Sequence, residues 1–309
     1  MKILIFGSGV IGSIYGARLH QAHYNVTLLA RGKRHEDLSR NGITIKDALT
    51  GEIATCTIPL IKELGPADFY DLIIVTVRFD QLDAVLPVLK GNSICPLIMF
   101  MLNCPDDIDR LIDKANARPV ILGFPGIGGI YRENFIEYIT IKQQKTTIGQ
   151  ANGNNADCID KVKEIFGNAH FEVETCSDMQ AWLKTHAIFI SCFSAAINRE
   201  NGDSIQLAKN RGGVDLMVRS IREGFSACKA LGLPIEPTNL KTIFMTMPRW
   251  FSVLYWQIAL KGKIGTLAMA PHANVAKDEM KLLARKVLTL AHSSSLLTPN
   301  LDKLLLSFI

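Results

Sequence analysis

Met1-Lys2-Ile3-Leu4-Ile5-Phe6-Gly7-Ser8-Gly9-Val10-Ile11-Gly12 opens the chain, and the order of residue types in it decides the architecture. Residues 2 to 6 are an unbroken apolar run, the pattern of a strand covered on both faces in a parallel sheet rather than one that alternates between core and water. A glycine-rich turn follows at once. Val10 to Ala22 then carries apolar residues at helical spacing, with Ile11, Tyr15, Leu19 and Ala22 on one side. Val26 to Leu29 is a second β-branched and apolar run. Strand, glycine turn, helix and strand thus follow one another within about 30 residues.

In that setting a G-x-G-x-x-G turn is the phosphate-binding loop of a Rossmann unit. Gly7 permits the tight turn, Gly9 lets the backbone approach a pyrophosphate, and Gly12 lets helix and strand pack closely. The N–H groups and dipole at the helix start favour phosphate charge, so Gly7, Ser8, Gly9, Val10, Ile11 and Gly12 are the expected cofactor loop. NAD enzymes usually carry an acidic residue about 20 residues further on, to accept hydrogen bonds from the ribose 2′-OH. Here no acidic residue precedes Glu36, and the second strand ends in Ala30-Arg31-Gly32-Lys33-Arg34. A carboxylate would repel a 2′-phosphate, whereas a guanidinium engages it in bidentate fashion. The expected cofactor is therefore NADPH (NADP), read by Arg31 with Lys33 or Arg34 in support.

Outward from this unit the alternation continues: strands at Asp71–Val77, Pro96–Leu102 and Pro119–Phe124, helices at Asp80–Leu89 and Pro105–Asn116. Such alternation implies crossover connections and a mostly parallel sheet. Ile43 to Ile61 reads as a hairpin about Asp47–Gly51, and Phe135 to Ile148 as a second one. After about residue 177 the period becomes helical, over Met179–Ala196, Val214–Leu231, Thr238–Met247, Ala273–Leu290 and Leu301–Phe308, with Pro234, Pro237, Pro248 and Pro299 as punctuation. With 309 residues the chain has room for two domains. The expectation is an α/β fold: a Rossmann domain over 1–176 and an all-α substrate and dimerisation domain over 177–309.

Bulk composition narrows the function classes. A hydrophobic share of 48% and a charged share of 20% are those of a soluble globular protein. The net charge of +5 is spread along the chain without a run of five Lys/Arg, which argues against a nucleic-acid or membrane partner and suits a small anionic ligand. The longest apolar run, Ala187–Ile197, is too short to cross a bilayer as a helix. The seven cysteines form no CxxC pair and none has a histidine at zinc spacing, so no metal site is expected. Most lie in apolar runs, as reduced core thiols do, and the N-terminus reaches glycine too soon for a signal peptide; both point to the cytoplasm. Phe244–Trp256, rich in Met and aromatic residues, fits either a homodimer interface or internal core.

The chain resembles the ketopantoate reductase family over nearly its whole length, and more loosely the 6-phosphogluconate-dehydrogenase-like two-domain enzymes. The resemblance rests on Lys2–Ile5 with Gly7, Gly9, Gly12 and Gly16, on Val26-Thr-Leu-Leu-Ala-Arg31, and on Leu72–Val77. In the second half it rests on Trp182-Leu183-Lys184 and Leu297-Thr-Pro-Asn-Leu301. It implies an NADP-dependent oxidoreductase acting on CH–OH groups, a 2-dehydropantoate 2-reductase of pantothenate biosynthesis, with a small-molecule 2-oxo acid as substrate. It also implies Lys184 as proton donor and Asn103 near nicotinamide and substrate. Arg78 stands where the family has a lysine and keeps a positive charge close to the cofactor, and Asn201-Gly202 corresponds to a family Asn-Gly after the long helix. The family asparagine four residues beyond its lysine is Ile188 here. The family's serine-rich segment and downstream glutamate have no clear match in Thr266–His272 and Asp278-Glu279.

Hydride transfer to a ketone leaves negative charge on oxygen, so the site needs a positioned donor and a proton. An ammonium at Lys184 supplies both; a snorkelling surface lysine is the alternative reading of the same residue. His186, two residues on, points about 160° away around the helix. His272, after Pro271, suits a substrate contact or a helix start, and Asn103 also suits a cap for a helix that Pro105 opens. Gly123-Phe-Pro-Gly-Ile-Gly-Gly129 reads either as a close approach to cofactor or substrate or as a plain loop. Two alternatives stand beside the 2-oxo acid reductase: a dehydrogenase of the same fold acting on another carbonyl or hydroxy acid, and a non-catalytic NADPH-binding sensor.

Overall fold

A computed structural model describes residues 1–105, 108–116, 118–151 and 156–309. Contacts between Cα atoms divide them into two compact units, the described residues of Met1–Leu102 with Asp107–Met179, and those of Asn103–Asp106 with Gln180–Ile309.

The first unit is built on twelve strands: β1 Lys2–Phe6, β2 Asn25–Leu29, β3 Ile43–Asp47, β4 Ile53–Cys56, β5 Leu60–Ile61, β6 Leu72–Val75, β7 Ile98–Met101, β8 Val120–Phe124, β9 Ile127–Tyr131, β10 Ile136–Thr140, β11 Thr146–Gln150 and β12 Val173–Thr175. Its helices are α1 Val10–Gln21, α2 Gly32–Asn41, α3 Leu82–Gly91, α4 Asp109–Lys114 and α5 Ala156–Asn168. Eight strands form one sheet in the order β12-β11-β8-β7-β6-β1-β2-β5, parallel throughout except where β11 runs against β8. The chain therefore starts in the middle of the sheet, winds outward through β2, and returns to the other side of β1 at β6. Connections diverge between β1 and β6, the switch point at which open α/β sheets take their ligands. Ile3, Leu4, Ile5 and Leu72 to Val75 are fully buried, which is the physical reason for their unbroken apolar runs.

A four-stranded sheet, β4-β3-β10-β9, is inserted in this frame. The hairpin about Asp47–Gly51 is present as β3 and β4; Asp47 Oδ1 accepts from the N–H groups of Leu49 and Thr50 at 2.7 and 3.2 Å. The expected hairpin over Phe135–Ile148 is not formed. Its first arm, β10, pairs with β9 and β3, while its second, β11, joins the main sheet. Alternation locates the two arms but does not name their partners. The true hairpin is β9 with β10, closed by the Arg132 N–H on the Phe135 carbonyl at 2.8 Å. The tract Gly123–Gly129 is accordingly the end of β8 and the start of β9 rather than a ligand loop. A Cβ at Gly126 would lie 2.6 Å from the Lys145 and Thr146 backbone, and one at Gly129 would lie 2.8 Å from the Glu137 carbonyl. Neighbouring chain, not a ligand, demands these glycines.

In the second unit every described element is helical: α6 Met179–Arg199, which begins at the unit boundary, then α7 Ser204–Lys209, α8 Arg211–Ala230, α9 Thr238–Lys241, α10 Arg249–Lys261, α11 Ala270–Val275, α12 Lys277–His292 and α13 Pro299–Leu305. Two expected helices are shorter than their periodicity. Thr238–Met247 passes into a π turn at Thr242–Thr246, and Ala273–Leu290 breaks at Ala276 into α11 and α12. A second π turn, Ile264–Met269, leads into α11. The aromatic content of Phe244–Trp256 is largely internal: Phe244 and Trp256 stack at 5.8 Å and meet Phe189, Phe193 and Phe225. Trp250, Leu254 and Ile258 of α10 remain exposed. No helix among the described residues is long and apolar enough to cross a membrane.

Candidate functional site

Each glycine of the first turn has its own geometry. Gly7 adopts φ +125°, a conformation that side chains rarely tolerate, and its carbonyl accepts the Thr76 hydroxyl at 3.0 Å. A Cβ at Gly12 would collide with the Gly7 carbonyl oxygen and with Thr76 Oγ1. A Cβ at Gly9 would meet nothing within 4 Å. Two glycines are thus required by the chain itself, and the third leaves open space at the start of α1. Gly9 caps that helix without a side-chain bond and no acidic residue lies in its first turn, so its leading N–H groups point to an uncompensated positive pole. Such a cradle fits a pyrophosphate.

The Ser8 carbonyl is held from three sides: it accepts the Tyr131 hydroxyl at 2.9 Å, Ser13 Oγ at 3.2 Å and Arg34 Nε at 3.3 Å. Arg34 also donates to Ser13 Oγ at 3.2 Å and to Asp37 at 2.5 Å, and its guanidinium lies 4.7 Å from the centre of the Tyr131 ring. Arg31 is exposed at the N-cap of α2, with Nε on the Lys62 carbonyl at 3.2 Å, and Lys33 is exposed beside it. Of the three basic residues after β2, Arg34 is therefore the one tied to the glycine loop. Arg78 is bidentate to Asp80, 3.1 Å at each oxygen.

In the second unit the structure brings Asn103 to a residue that the sequence did not single out. Asn103 is buried two residues after β7, and its Nδ2 donates to Glu279 Oε1 at 3.2 Å. It does not cap α4, whose described turns begin at Asp109 after Ile108; residues 106 and 107 of the expected Pro105–Asn116 helix lie outside the described residues. Glu279 is only 2% exposed. One signal for it was available: Glu279, Leu283, Val287 and Ala291 recur every four residues on the buried side of α12, so the carboxylate stands on the apolar stripe. Its Oε2 lies 3.9 Å from His272 Nε2.

Lys184 is half-buried and, among the described residues, has no hydrogen-bond or ion-pair partner. It shares a helix face with Ile188, and a Cβ at Gly224 of α8 would lie 2.6 Å from Ile188 Cγ2. Burial pushes the Cys228 thiol up to about 11 and the Lys184 ammonium pulls it back, which places the lysine on that α8-facing side. His186 lies on another face, stacked on Trp182 with centroids 4.9 Å apart, and burial, reinforced by His272, holds it down at about 3. Asn201 is exposed at φ +55°, and the Gly202 carbonyl after it accepts Asn274 Nδ2 at 2.9 Å. Asn201 and His272 thus sit on elements that are bonded together. No hydrogen bond or ion pair joins Lys184 to Asn103, Glu279 or His272 among the described residues.

Comparison with known proteins agrees with this architecture. Residues 3–153 match the family model described as ketopantoate reductase PanE/ApbA. That match spans just under half of the chain. A 2-dehydropantoate 2-reductase of Pyrococcus horikoshii is 25% identical over 251 residues, 80% of each protein, and an uncharacterized oxidoreductase of Bacillus subtilis is 22% identical over 254. Among solved structures, D-mandelate dehydrogenase with NADH and anilino(oxo)acetate superposes with a TM-score of 0.80 at 14% identity, covering 99% of this chain and 96% of that one. The probable 2-dehydropantoate 2-reductase of Bacillus subtilis gives a TM-score of 0.67 at 18% identity over 100% and 99%.

Proposed function

We propose that the chain is an NADPH-dependent reductase of a 2-oxo acid. The observation that carries this reading is the open space at Gly9, at an α1 start free of acidic residues and beside the basic turn of Arg31, Lys33 and Arg34. When bound, the reduced nicotinamide supplies a hydride to the ketone carbon. The protein's own contribution is to bind the pyrophosphate on Gly7 to Gly12, to offer guanidinium groups to the 2′-phosphate, and to keep positive charge near the cofactor at Arg78. Asn103, oriented by buried Glu279, donates to the substrate. Lys184, unpartnered, passes a proton from Nζ to the developing alkoxide, and Asn201 contributes to substrate binding.

Fluorescence titration tests the cofactor: NADPH binds more tightly than NADH, and equal or reversed affinity would refute the reading of the basic turn. A panel of 2-oxo acids then tests the reaction, with NADPH oxidised by at least one of them. Lys184→Ala lowers kcat/KM by about two to four orders of magnitude and leaves the NADPH Kd unchanged; near-normal turnover in this variant would remove Lys184 from the acid's role.

The likeness to D-mandelate dehydrogenase, described with NADH, favours a second reading in which the same residues act on another 2-hydroxy acid. Rates across the panel, with 2-dehydropantoate included, separate the two. Tight NADPH binding with no oxidation on any of them supports the sensor instead.

A further inference from the structure

The outward side of α11 carries a group that neither the glycine loop nor Lys184 uses. Pro271, Ala273 and Ala276 are buried and pin this segment down, while the His272 side chain between them stays 35% exposed. Behind the imidazole, Nε2 faces the buried Glu279 carboxylate at 3.9 Å, and the other oxygen of that carboxylate holds Asn103. Asn198 of α6 donates to the Ala273 carbonyl at 3.3 Å, and Asn274 donates to the Gly202 carbonyl at 2.9 Å. The two residues that follow His272 are therefore bonded to the end of α6 and to the turn after it, next to Asn201. No hydrogen bond engages His272 Nδ1 among the described residues.

We propose that His272, backed by Glu279, binds the carboxylate of the substrate through Nδ1 and so makes the protein select 2-oxo acids over neutral ketones; this rests on the reductase reading above. A carboxylate accepts hydrogen bonds and cannot donate them, so the imidazole must donate from Nδ1 while Nε2 faces a second acceptor. Only the imidazolium donates from both nitrogens, and the bond it makes is charge-assisted. The titratable groups facing His272 are Glu279 from α12 and His186 from α6, the latter kept neutral by burial. The π turn Ile264–Met269 carries none, and Lys277 and Asp278 at the α11–α12 bend are exposed.

Calorimetry on NADP-loaded protein with anilino(oxo)acetate and its methyl ester tests this directly. The acid binds at least about tenfold more tightly than the ester, a factor set by one charge-assisted bond. His272→Gln abolishes the preference. His272→Arg keeps it, and this rescue is a result that a merely structural role would not give. Equal binding of acid and ester by the wild type, or an undiminished preference in His272→Gln, overturns the proposal. Turnover separates the two readings: acid preference without NADPH oxidation sinks the reductase and leaves His272 standing, while oxidation with preference retained in His272→Gln does the reverse.

Discussion

At the scale of single residues, the three glycines of the first turn make the sharpest contrast. Gly9→Ala adds a methyl group that touches nothing in the protein, so the variant folds with unchanged stability and loses cofactor affinity. Gly12→Ala drives a methyl into the Gly7 carbonyl and Thr76, and its melting temperature falls as well, by the several degrees that overpacking of about 1–3 kcal/mol produces. Paired melting curves and NADPH titrations check both; a Gly9→Ala variant that binds normally would remove the pyrophosphate from this loop. His186 supports a prediction on pH. Its folded value of about 3 lies below the ordinary 6.5, so the unfolded chain binds the extra proton between these limits. Stability is therefore lost as pH falls from 6.5 toward 3, by up to roughly 1.4 kcal/mol per pH unit from this group alone. His186→Phe flattens that slope by one proton in denaturant unfolding; an unchanged slope would show that the buried imidazole is not its source.

Elements bring together what residue types only suggest. The β2–α2 connection presents Arg31 to solvent and folds Arg34 back on Ser8 and Tyr131, so the two arginines have different tasks. Removing either costs NADPH affinity by about ten- to a hundredfold, the worth of a bond to a charged group. Arg31→Ala leaves NADH affinity nearly unchanged, whereas Arg34→Ala weakens both cofactors because the Ser8 peptide loses a support. Competition titrations read the difference, and equal losses for NADPH and NADH in Arg31→Ala would move the 2′-phosphate elsewhere. Strand positions and helix type were legible where one local rule governs them: β1, β2, β6, β7 and β8 follow from unbroken apolar runs, and α6 and α8 from a sustained period. They were illegible where the partner is distant. The arms of Phe135–Ile148 have strand patterns but belong to different sheets, and Gly123–Gly129 has loop composition only because neighbouring backbone fills the space of its missing side chains.

For the whole molecule, ligand binding couples to stability by mass action. NADPH at a hundred times its Kd adds about 2.7 kcal/mol to the native state and raises the melting temperature by about 5–11 °C. Lys184→Ala shows the same shift and Gly9→Ala a reduced one. A Lys184→Ala variant that NADPH fails to stabilise would tie the lysine to cofactor binding instead of proton transfer. The sequence alone determined the glycine loop, the absence of an acidic residue before Glu36 and the α/β-then-helical order, because each depends on neighbours within a turn or a strand. Only the tertiary structure decided that Glu279 carries Asn103 and faces His272, and that Arg34 and Tyr131 brace Ser8. Those pairings join residues as much as 176 positions apart, and side-chain type and spacing hold no record of which distant surface a buried polar group will meet.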